Sequence, residues 1–366
     1  MKLKSKTTFF WRLHQLFFCF TLLVFGLTYF AFTGHWVIGF LMMSLPVLLI
    51  IHLIFCVFWL FFKPRKVWLS ALALLLSFPF WSRTWKFPTA YASDAGGAKE
   101  ITVMSYNLMN FDVYNHLDGI RPQNALNLIN WAKNTDAEIK CFQEFYNLDN
   151  RPNFNTLQQF KKAGYNHYTV AHPAVFKNEK HAFGLAIMSK YPIVNRGEKE
   201  FQDQNGILFA DITIGKDTIR VINVHLRSLI VRFGRLKEAY QEKDYDQGKS
   251  ETRKVFVKIK KGFIHHEEET KVLTEWIDQS PYPVLLCGDF NETPYGFAYG
   301  QVRQRLFNSF EKAGSGFGFT YQNAPRYIRI DNQFYDKKSL EIIDFQTRRD
   351  IKYSDHYPII GRYKLL

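Results

Sequence analysis

The first quarter of the chain is far more apolar than the rest, and this limits what that part can fold into. Residues 16–32 form an almost unbroken apolar run, residues 37–62 form a second, and residues 67–81 form a shorter third. Helices that are apolar on every face, one after another, are typical of lipid-embedded segments. We therefore predict a membrane segment over residues 1–90 with about three transmembrane helices. A signal peptide explains the first run less well, because no small-residue cleavage site follows it.

The charge distribution supports this interpretation and predicts an orientation. Nine Lys and Arg residues precede Asp94, the first acidic residue, so the remaining chain holds 38 of the 47 basic residues against 33 acidic ones. The basicity therefore reflects membrane topology more than a nucleic-acid footprint. Basic residues cluster at the N-terminus and in residues 63–66, which the positive-inside rule assigns to the cytoplasm. Three crossings then put the C-terminal part outside the cytoplasm, which is the periplasm if the source is a Gram-negative bacterium.

Residues 91–99 (YASDAGGAK) are small and polar and are predicted to be a linker. After it, residues 100–366 show mixed strand and helix patterns, and we expect a fragment that begins near Lys99 to fold by itself. Helical spacing covers residues 121–134 and 264–279. Strand patterns cover residues 101–107, 138–142, 165–170, 183–189, 207–214, 218–225, 284–287, 327–334, 340–346 and 357–363.

Polar residues that suit metal or phosphate binding stand where these apolar strands end. They are Asn107, Glu144, His225, Asp289, Asn291, Asp331, Asp355 and His356. Each one alone has an ordinary explanation, such as a cap, an Asx turn or a surface carboxylate. Sites in layered α/β domains assemble at strand ends, so the whole set indicates one site there.

The motifs that contain these residues resemble the endonuclease/exonuclease/phosphatase superfamily. In chain order they are SYN (105–107), QE (143–144), GLAIMSKYPIV (184–194), NVHL (223–226), GDFN (288–291), RID (329–331) and SDHYP (354–358). The resemblance implies a four-layer αββα sandwich with two facing mixed sheets, here preceded by transmembrane helices. It also implies a metal-dependent hydrolase that acts on phosphoric ester bonds.

The resemblance implies roles for the metal-binding side of the site. Glu144 is the expected chief ligand, with Asn107 nearby and Asp355 as a further ligand or an outer carboxylate. Hard oxygen ligands suit Mg²⁺, with Mn²⁺ as an alternative.

The resemblance also assigns catalytic roles. His356 is expected to be a general base or an electrostatic partner of the phosphate, held by Asp331. Asp289 would orient or deprotonate the attacking water, and Asn291 would donate to the phosphate. A His at position 225 is similar to that of phosphodiesterases in the family rather than abasic-site nucleases, and it would protonate the leaving oxygen.

The expected function is therefore membrane-anchored hydrolysis of a phosphodiester or phosphomonoester. A lipid headgroup or a small phosphoester is the preferred substrate, and the partners are this substrate and the bilayer. An extracytoplasmic nuclease, with nucleic acid as substrate, is one alternative, and a non-catalytic membrane-tethered binding module is another. No protein partner is predicted.

Two further segments have open interpretations. Residues 229–262 hold ten basic and five acidic residues and form either a solvated excursion or a basic cover near the membrane surface. The sequence GSGFG at 314–318 is expected to be a plain loop, because a single Gly-rich run is weak support for a phosphate site. The four cysteines suggest no disulfide framework.

Overall fold

Two β-sheets face each other across an apolar core in the computed structural model, which describes residues 2–88, 99–171, 173–176, 179–202, 204–229, 245–323 and 327–366. The first sheet contains β1 (Glu100–Asn107), β2 (Ile139–Leu148), β3 (His167–Val170), β4 (Pro173–Phe176), β5 (Glu179–Ser189), β12 (Leu340–Thr347) and β13 (Ile359–Leu365). The second contains β6 (Ile193–Glu200), β7 (Gly206–Ile214), β8 (Asp217–His225), β9 (Val284–Asp289), β10 (Phe307–Asn308) and β11 (Asp331–Tyr335).

Both sheets are mixed. The first has the order β12-β13-β1-β2-β5-β3, with β4 paired to β5, and the second has the order β10-β11-β9-β8-β7-β6. In each sheet one central pair is parallel, β1 with β2 and β8 with β9, and the other pairs are antiparallel. The two parallel pairs lie in the middle of the sheets, where helices cover them.

The alternation of side chains along β7 shows why the sheets are layered. Leu208 and Ala210 face the core between the sheets, whereas Ile207 packs on the other side with Leu273. A strand that is apolar on both faces must be covered twice. Helices α9 (Tyr245–Asp278) and α10 (Phe297–Arg305) cover the second sheet, and α7 (Pro122–Asn134) and α8 (Thr156–Lys162) cover the first. The expected four-layer αββα sandwich is confirmed.

The N-terminal quarter is helical. It contains α1 (Lys2–Phe30), α2 (Trp36–Met43), α3 (Leu45–Phe62), α4 (Trp68–Leu76) and α5 (Trp81–Thr84), with short 3-10 turns at Pro64–Lys66 and Phe78–Phe80. Two helical segments, Thr8–Phe30 and Leu45–Phe62, are long and apolar enough to cross a membrane. The third apolar run is divided between α4, a 3-10 turn and α5.

The elements that the sequence predicts in residues 100–366 differ from the observed ones mainly at their bounds. The predicted strand at 138–142 continues through Glu144 to Leu148, and the strand predicted at 327–334 begins only at Asp331. The helix predicted at 264–279 begins at Tyr245, so residues 245–262 of the basic excursion are helical, whereas residues 230–244 lie outside the described part. Of the predicted linker, only Lys99 is described. The described residues also form two short helices, α6 (Val113–Leu117) and α11 (Ser309–Ala313), and a 3-10 turn at Met109–Asp112.

Candidate active site

Strand register brings the predicted residues of the second sheet together. His225 at the end of β8 pairs with Asp289 at the end of β9, and Asp289 pairs in turn with Asp331 at the start of β11. Three side chains on neighbouring strands at one level point to the same side of the sheet. Asn107 ends β1 in the facing sheet and reaches the same edge.

Asp289 lies at the centre of the cluster. Its Oδ2 is 3.7 Å from His356 Nε2 and 3.8 Å from His225 Nε2. It also accepts a hydrogen bond of 3.1 Å from Asn107 Nδ2, and the same amide nitrogen donates to Glu144 Oε1 at 3.2 Å. Asn107 therefore separates the two carboxylates and links the two sheets.

His356 is held by Asp331, as the sequence predicts for the pair. The distance from His356 Nδ1 to Asp331 Oδ2 is 2.9 Å, and both side chains are buried. The other ring nitrogen, Nε2, faces Asp289 and the interior of the site. A carboxylate on Nδ1 fixes the ring orientation and leaves Nε2 to interact with a substrate or a water molecule.

Two of the site residues have a strained backbone. Glu144 has φ +48° and Asn291 has φ +51°, values that non-glycine residues rarely adopt. Glu144 lies where the β2–β5 register shifts between Phe142 and Phe145, so its side chain leaves the ladder and is 29% exposed. Such strain typically costs about 1–3 kcal/mol per residue and is concentrated at functional sites.

Steric crowding explains why the first residue of the GDFN motif is glycine. Gly288 has φ +145°, and a Cβ there would come within 2.0 Å of the Val224 carbonyl oxygen. The close approach allows β9 to end beside β8 at His225. Directly after it, Asn291 donates its backbone N–H to Asp289 Oδ1 at 2.8 Å and its Nδ2 to the Leu226 carbonyl at 2.8 Å.

Asp355 is oriented differently from the other predicted residues. Its carboxylate oxygens are within 3.4 Å of Ser354 Oγ and of Asn323 Nδ2, an exposed side chain. The tightest group of ligand atoms in the described part of the chain is formed by Asp289, Asp331 and His356, whose atoms lie within 4.8 Å of one another.

Burial and like charges set the ionisation of the cluster. Burial and the neighbouring Asp331 raise the pKa of Asp289 to about 6. Burial acts to lower the pKa of His356, but Asp331 and Asp289 raise it to about 10. For His225, burial dominates over the attraction of Asp289 and lowers the pKa. One histidine is thus held as a cation and the other is neutral near pH 7.

The donor set fits a divalent cation. Three carboxylates converge here, and Asp331 Oδ1 is buried with no hydrogen-bond partner among the described residues. Burial is the main cause of the raised pKa of Asp289, and the neighbouring charge of Asp331 raises it further. Hard oxygen ligands of this kind prefer Mg²⁺ or Mn²⁺.

Three residues of the predicted motifs support the site although the sequence analysis assigned them no role. Ser354 Oγ donates to the Asn107 carbonyl at 2.7 Å, which pins the SDHYP loop to the end of β1. Gln143 Nε2 donates to Asn223 Oδ1 at 2.6 Å, and Asn223 Nδ2 donates to the Phe142 carbonyl at 2.8 Å. These amides join the two sheets below the site. Their buried positions inside apolar strands were the available signal.

The profile of the endonuclease/exonuclease/phosphatase family matches residues 104–356, and a profile described as a domain of unknown function, DUF8431, matches residues 7–84. No curated protein matches the chain.

Similar solved structures include an endonuclease/exonuclease/phosphatase family protein from Bacteroides thetaiotaomicron, at 18% identity and a TM-score of 0.48, covering 73% of this chain and 96% of that one. A humanized D. rerio TDP2 has 14% identity and a TM-score of 0.47, covering 72% and 98%. The human Nocturnin catalytic domain with bound sulfate has 16% identity and a TM-score of 0.47, covering 73% and 95%.

Proposed function

Since the chain belongs to the endonuclease/exonuclease/phosphatase family, we propose that it is a membrane-anchored hydrolase that cleaves phosphoester bonds with a divalent metal ion. The observation that carries this proposal is the convergence of Glu144, Asp289, Asp331 and two histidines at one edge of the sandwich. A scaffold without catalysis would have no need to bring three carboxylates, two of them buried, so close together, because their repulsion costs stability.

In this proposal Glu144 holds the metal, with Asn107 beside it and Asp355 as an outer carboxylate. Mg²⁺ is the preferred ion and Mn²⁺ the alternative. A bound divalent cation supplies positive charge against the phosphate and the leaving oxygen. The remaining work falls to the side chains of the cluster, which must position the water and the phosphate.

The roles of the other residues follow from their contacts. His356, oriented by Asp331, presents Nε2 to the phosphate or to the attacking water. Asp289 orients that water or takes its proton, since it lies between both histidines. The Asn291 amide carries a second N–H besides the one bound to Leu226, and this N–H donates to a phosphate oxygen. His225 would protonate the leaving oxygen in its protonated form, which is a minor fraction near pH 7 because burial lowers its pKa.

The charge pattern of the N-terminal helices supports an extracytoplasmic catalytic domain. Phe30, at the end of α1, accepts a hydrogen bond from Gln304 of the catalytic domain. Lys66 lies at the opposite end of the helices, over the rings of Trp11 and Trp59. With the basic end in the cytoplasm, the catalytic domain lies on the other side.

The test uses the full chain in detergent with Mg²⁺. Its substrates are bis(4-nitrophenyl) phosphate, phospholipid micelles, DNA and RNA. We expect hydrolysis that stops in excess chelator and returns with Mg²⁺ or Mn²⁺. Unchanged hydrolysis in chelator would rule out the metal mechanism, and no turnover of any substrate would favour the binding module. A reporter fused after Leu366 that is active only in the cytoplasm would contradict the proposed orientation.

A further inference from the structure

The catalytic domain is packed onto the N-terminal helices by residues that come directly after the active-site motif GDFN. Tyr295 is buried in one apolar cluster with Val24 and Phe25 of α1, and Phe297 is buried in another with Ala31. The loop that follows Asn291 therefore packs against the N-terminal helices four to six residues further along the chain. Apolar contacts of this kind restrict the orientation of the domain, which a flexible tether would not do.

A buried arginine strengthens this attachment beside the site. Arg83 of α5 donates Nη1 to the Pro294 carbonyl at 3.2 Å, and its own carbonyl accepts a 2.9 Å hydrogen bond from Arg329 Nη2. Arg329 precedes Asp331 by two residues, and Pro294 follows Asn291 by three. One residue of the helical segment thus contacts both segments that carry catalytic side chains, so the site has a fixed position relative to the helices.

A row of five aromatic rings, four of them exposed, begins where α5 ends. We call Trp85, Phe87, Phe317, Phe319 and Tyr327 the aromatic ledge. The centroid distances are 6.0 Å for Trp85–Phe87, 4.7 Å for Trp85–Phe317, 5.1 Å for Phe317–Phe319 and 5.5 Å for Phe319–Tyr327. Phe87 is 74% exposed and Tyr327 is 67% exposed. Contiguous exposed aromatic rings mark an interaction surface, and Trp and Tyr are enriched where a membrane meets water.

The ledge borders the active site. One residue beyond Phe319, Thr320 Oγ1 accepts the backbone N–H of Asp331 at 3.1 Å. The next residue, Tyr321, packs its ring edge-on against the ring of His356, with centroids 5.1 Å apart. The segment that carries two of the five ledge residues therefore also contacts the His356–Asp331 pair.

The N-terminal half of α9 adds a basic surface at the start of α2. Phe256 stacks on Phe40 with centroids 5.8 Å apart and meets Trp36 edge-on at 5.5 Å, and Lys260 lies 4.8 Å from the Trp36 ring centroid. Residues 249–262 carry one acidic residue, Glu251, and six basic ones: Lys249, Arg253, Lys254, Lys258, Lys260 and Lys261. A basic helix beside the point where the chain enters an apolar segment suits anionic headgroups, at about 1 kcal/mol per Lys or Arg near the surface.

We propose that the active site opens at the bilayer surface and that its substrate is the phosphodiester of a membrane phospholipid, an inference that rests on the proposed function. The aromatic ledge lies in the interfacial layer and the basic half of α9 lies on the headgroups. The docked helices hold the catalytic edge at headgroup height, so the phosphate enters without the lipid leaving the bilayer. Water oxygen bonds to phosphorus and gives its proton to a site base. One P–O ester bond breaks, and the leaving alcohol oxygen takes a proton.

The experiment compares two substrates with the full chain. The first is phosphatidylglycerol in vesicles made with phosphatidylethanolamine, and the second is the water-soluble bis(4-nitrophenyl) phosphate. Phe87→Ser with Phe317→Ser makes the ledge polar, and Val194→Ser is the matched control on β6, where the side chain is 59% exposed. We expect the ledge variant to lose roughly tenfold in lipid hydrolysis, the equivalent of about 1.4 kcal/mol. Its hydrolysis of the soluble ester should stay near wild type, and the control should keep both activities.

A second pair of substitutions tests the charge. Lys258→Gln with Lys261→Gln should reduce the preference for phosphatidylglycerol over phosphatidylcholine vesicles, since both lysines are exposed. Hydrolysis of the soluble ester with all lipids left intact would overturn the lipid inference but leave the phosphoesterase proposal standing. Faster cleavage of DNA than of lipid, or equal loss of both activities in the ledge variant, would also overturn it. No hydrolysis of either ester would instead mean that the proposed function itself fails.

Discussion

Among the described residues, a buried pair of histidines in the N-terminal helices can be compared with the pair in the candidate active site, and the two clusters differ in how their polar atoms are satisfied. In the N-terminal cluster, Trp59 Nε1 donates to His14 Nδ1 at 2.9 Å, and His14 Nε2 lies 2.8 Å from Ser70 Oγ. Ser70 Oγ lies 3.4 Å from His52 Nδ1, and His52 Nε2 lies 3.0 Å from Thr21 Oγ1. Every ring nitrogen in this cluster has a partner, and no carboxylate is present.

The cluster in the candidate active site has the opposite character. Three carboxylates converge on His225 and His356, and one buried atom, Asp331 Oδ1, has no partner in the described part of the chain. Glu144 keeps part of its side chain open to solvent. Burial of a histidine therefore says little about function. Uncompensated charge, unpaired atoms and access together distinguish a site that awaits a ligand from a network that joins helices.

Removal of the charge of Glu144 should have the largest effect, because it is the expected ligand of the metal. Glu144→Gln keeps the size of the side chain, and we expect turnover to fall by about 10³ or more with the fold intact. Kinetics with titrated Mg²⁺ and circular dichroism would measure both. Glu341→Gln, at an exposed position on β12, is the control. Near-normal turnover of the Glu144 variant would move the metal to Asp289 and Asp331.

Loss of His356 should rank second. We expect His356→Ala to lower kcat by about 10² to 10⁴ for alkyl and nitrophenyl phosphodiesters alike, because the ring acts on the phosphate or on the attacking water. Asp331→Asn should impair the same step less, since it loosens the ring without removing it. If His356→Ala spared one substrate, the assignment of the ring to the attacking side would be wrong.

The effect of His225 should depend on the leaving group. An alkoxide needs a proton to leave, whereas nitrophenolate leaves readily as an anion. His225→Ala should therefore slow an alkyl phosphodiester by about 10² or more and a nitrophenyl one only slightly. The comparison requires that chemistry limits the rate, which a viscosity series would check. Equal slowing of both substrates would make His225 a phosphate binder or a structural residue.

Much of the catalytic edge could be predicted from the sequence, because the information is local. GDFN ends a short apolar strand, β9, and SDHYP leads directly into another, β13. A polar residue at the end of a buried strand is restricted to the edge of the sheet. The positive φ of Glu144 could not be predicted in this way, because QE resembles any strand end. The strain comes from the shift in register between β2 and β5.

Contacts between distant parts of the chain could not be predicted. The predicted linker separates two parts that are nevertheless joined by Arg83 and Tyr295, which contact residues more than 200 positions away. The hydrophobic periodicity of a sequence carries no information about contacts between residues so far apart. The first half of α9 was missed because its basic residues and Gly248 obscure the apolar spacing, and Phe256 is stabilised there by packing on α2. Independent folding of a fragment from Lys99 stays a prediction, although that fragment would expose Tyr295 and Phe297.

The smallest effect on turnover is expected from a change in the N-terminal cluster. This change tests whether a fully hydrogen-bonded histidine cluster has only a structural role. Ser70→Ala removes the hydroxyl that links His14 to His52 and leaves their facing nitrogens unpaired. A buried polar group without a partner typically costs about 1–3 kcal/mol, so the helices should separate at a lower temperature in detergent. Ser77→Ala is the control, because its hydroxyl contacts no histidine in the described part of the chain: it donates to the Leu74 carbonyl and accepts from Trp81 Nε1. Hydrolysis of the soluble ester by Ser70→Ala should equal that of wild type at temperatures below unfolding. If turnover instead fell as far as it does in His356→Ala while the melting temperature stayed unchanged, the N-terminal histidines would take part in function, and a fully hydrogen-bonded cluster would no longer indicate a structural role.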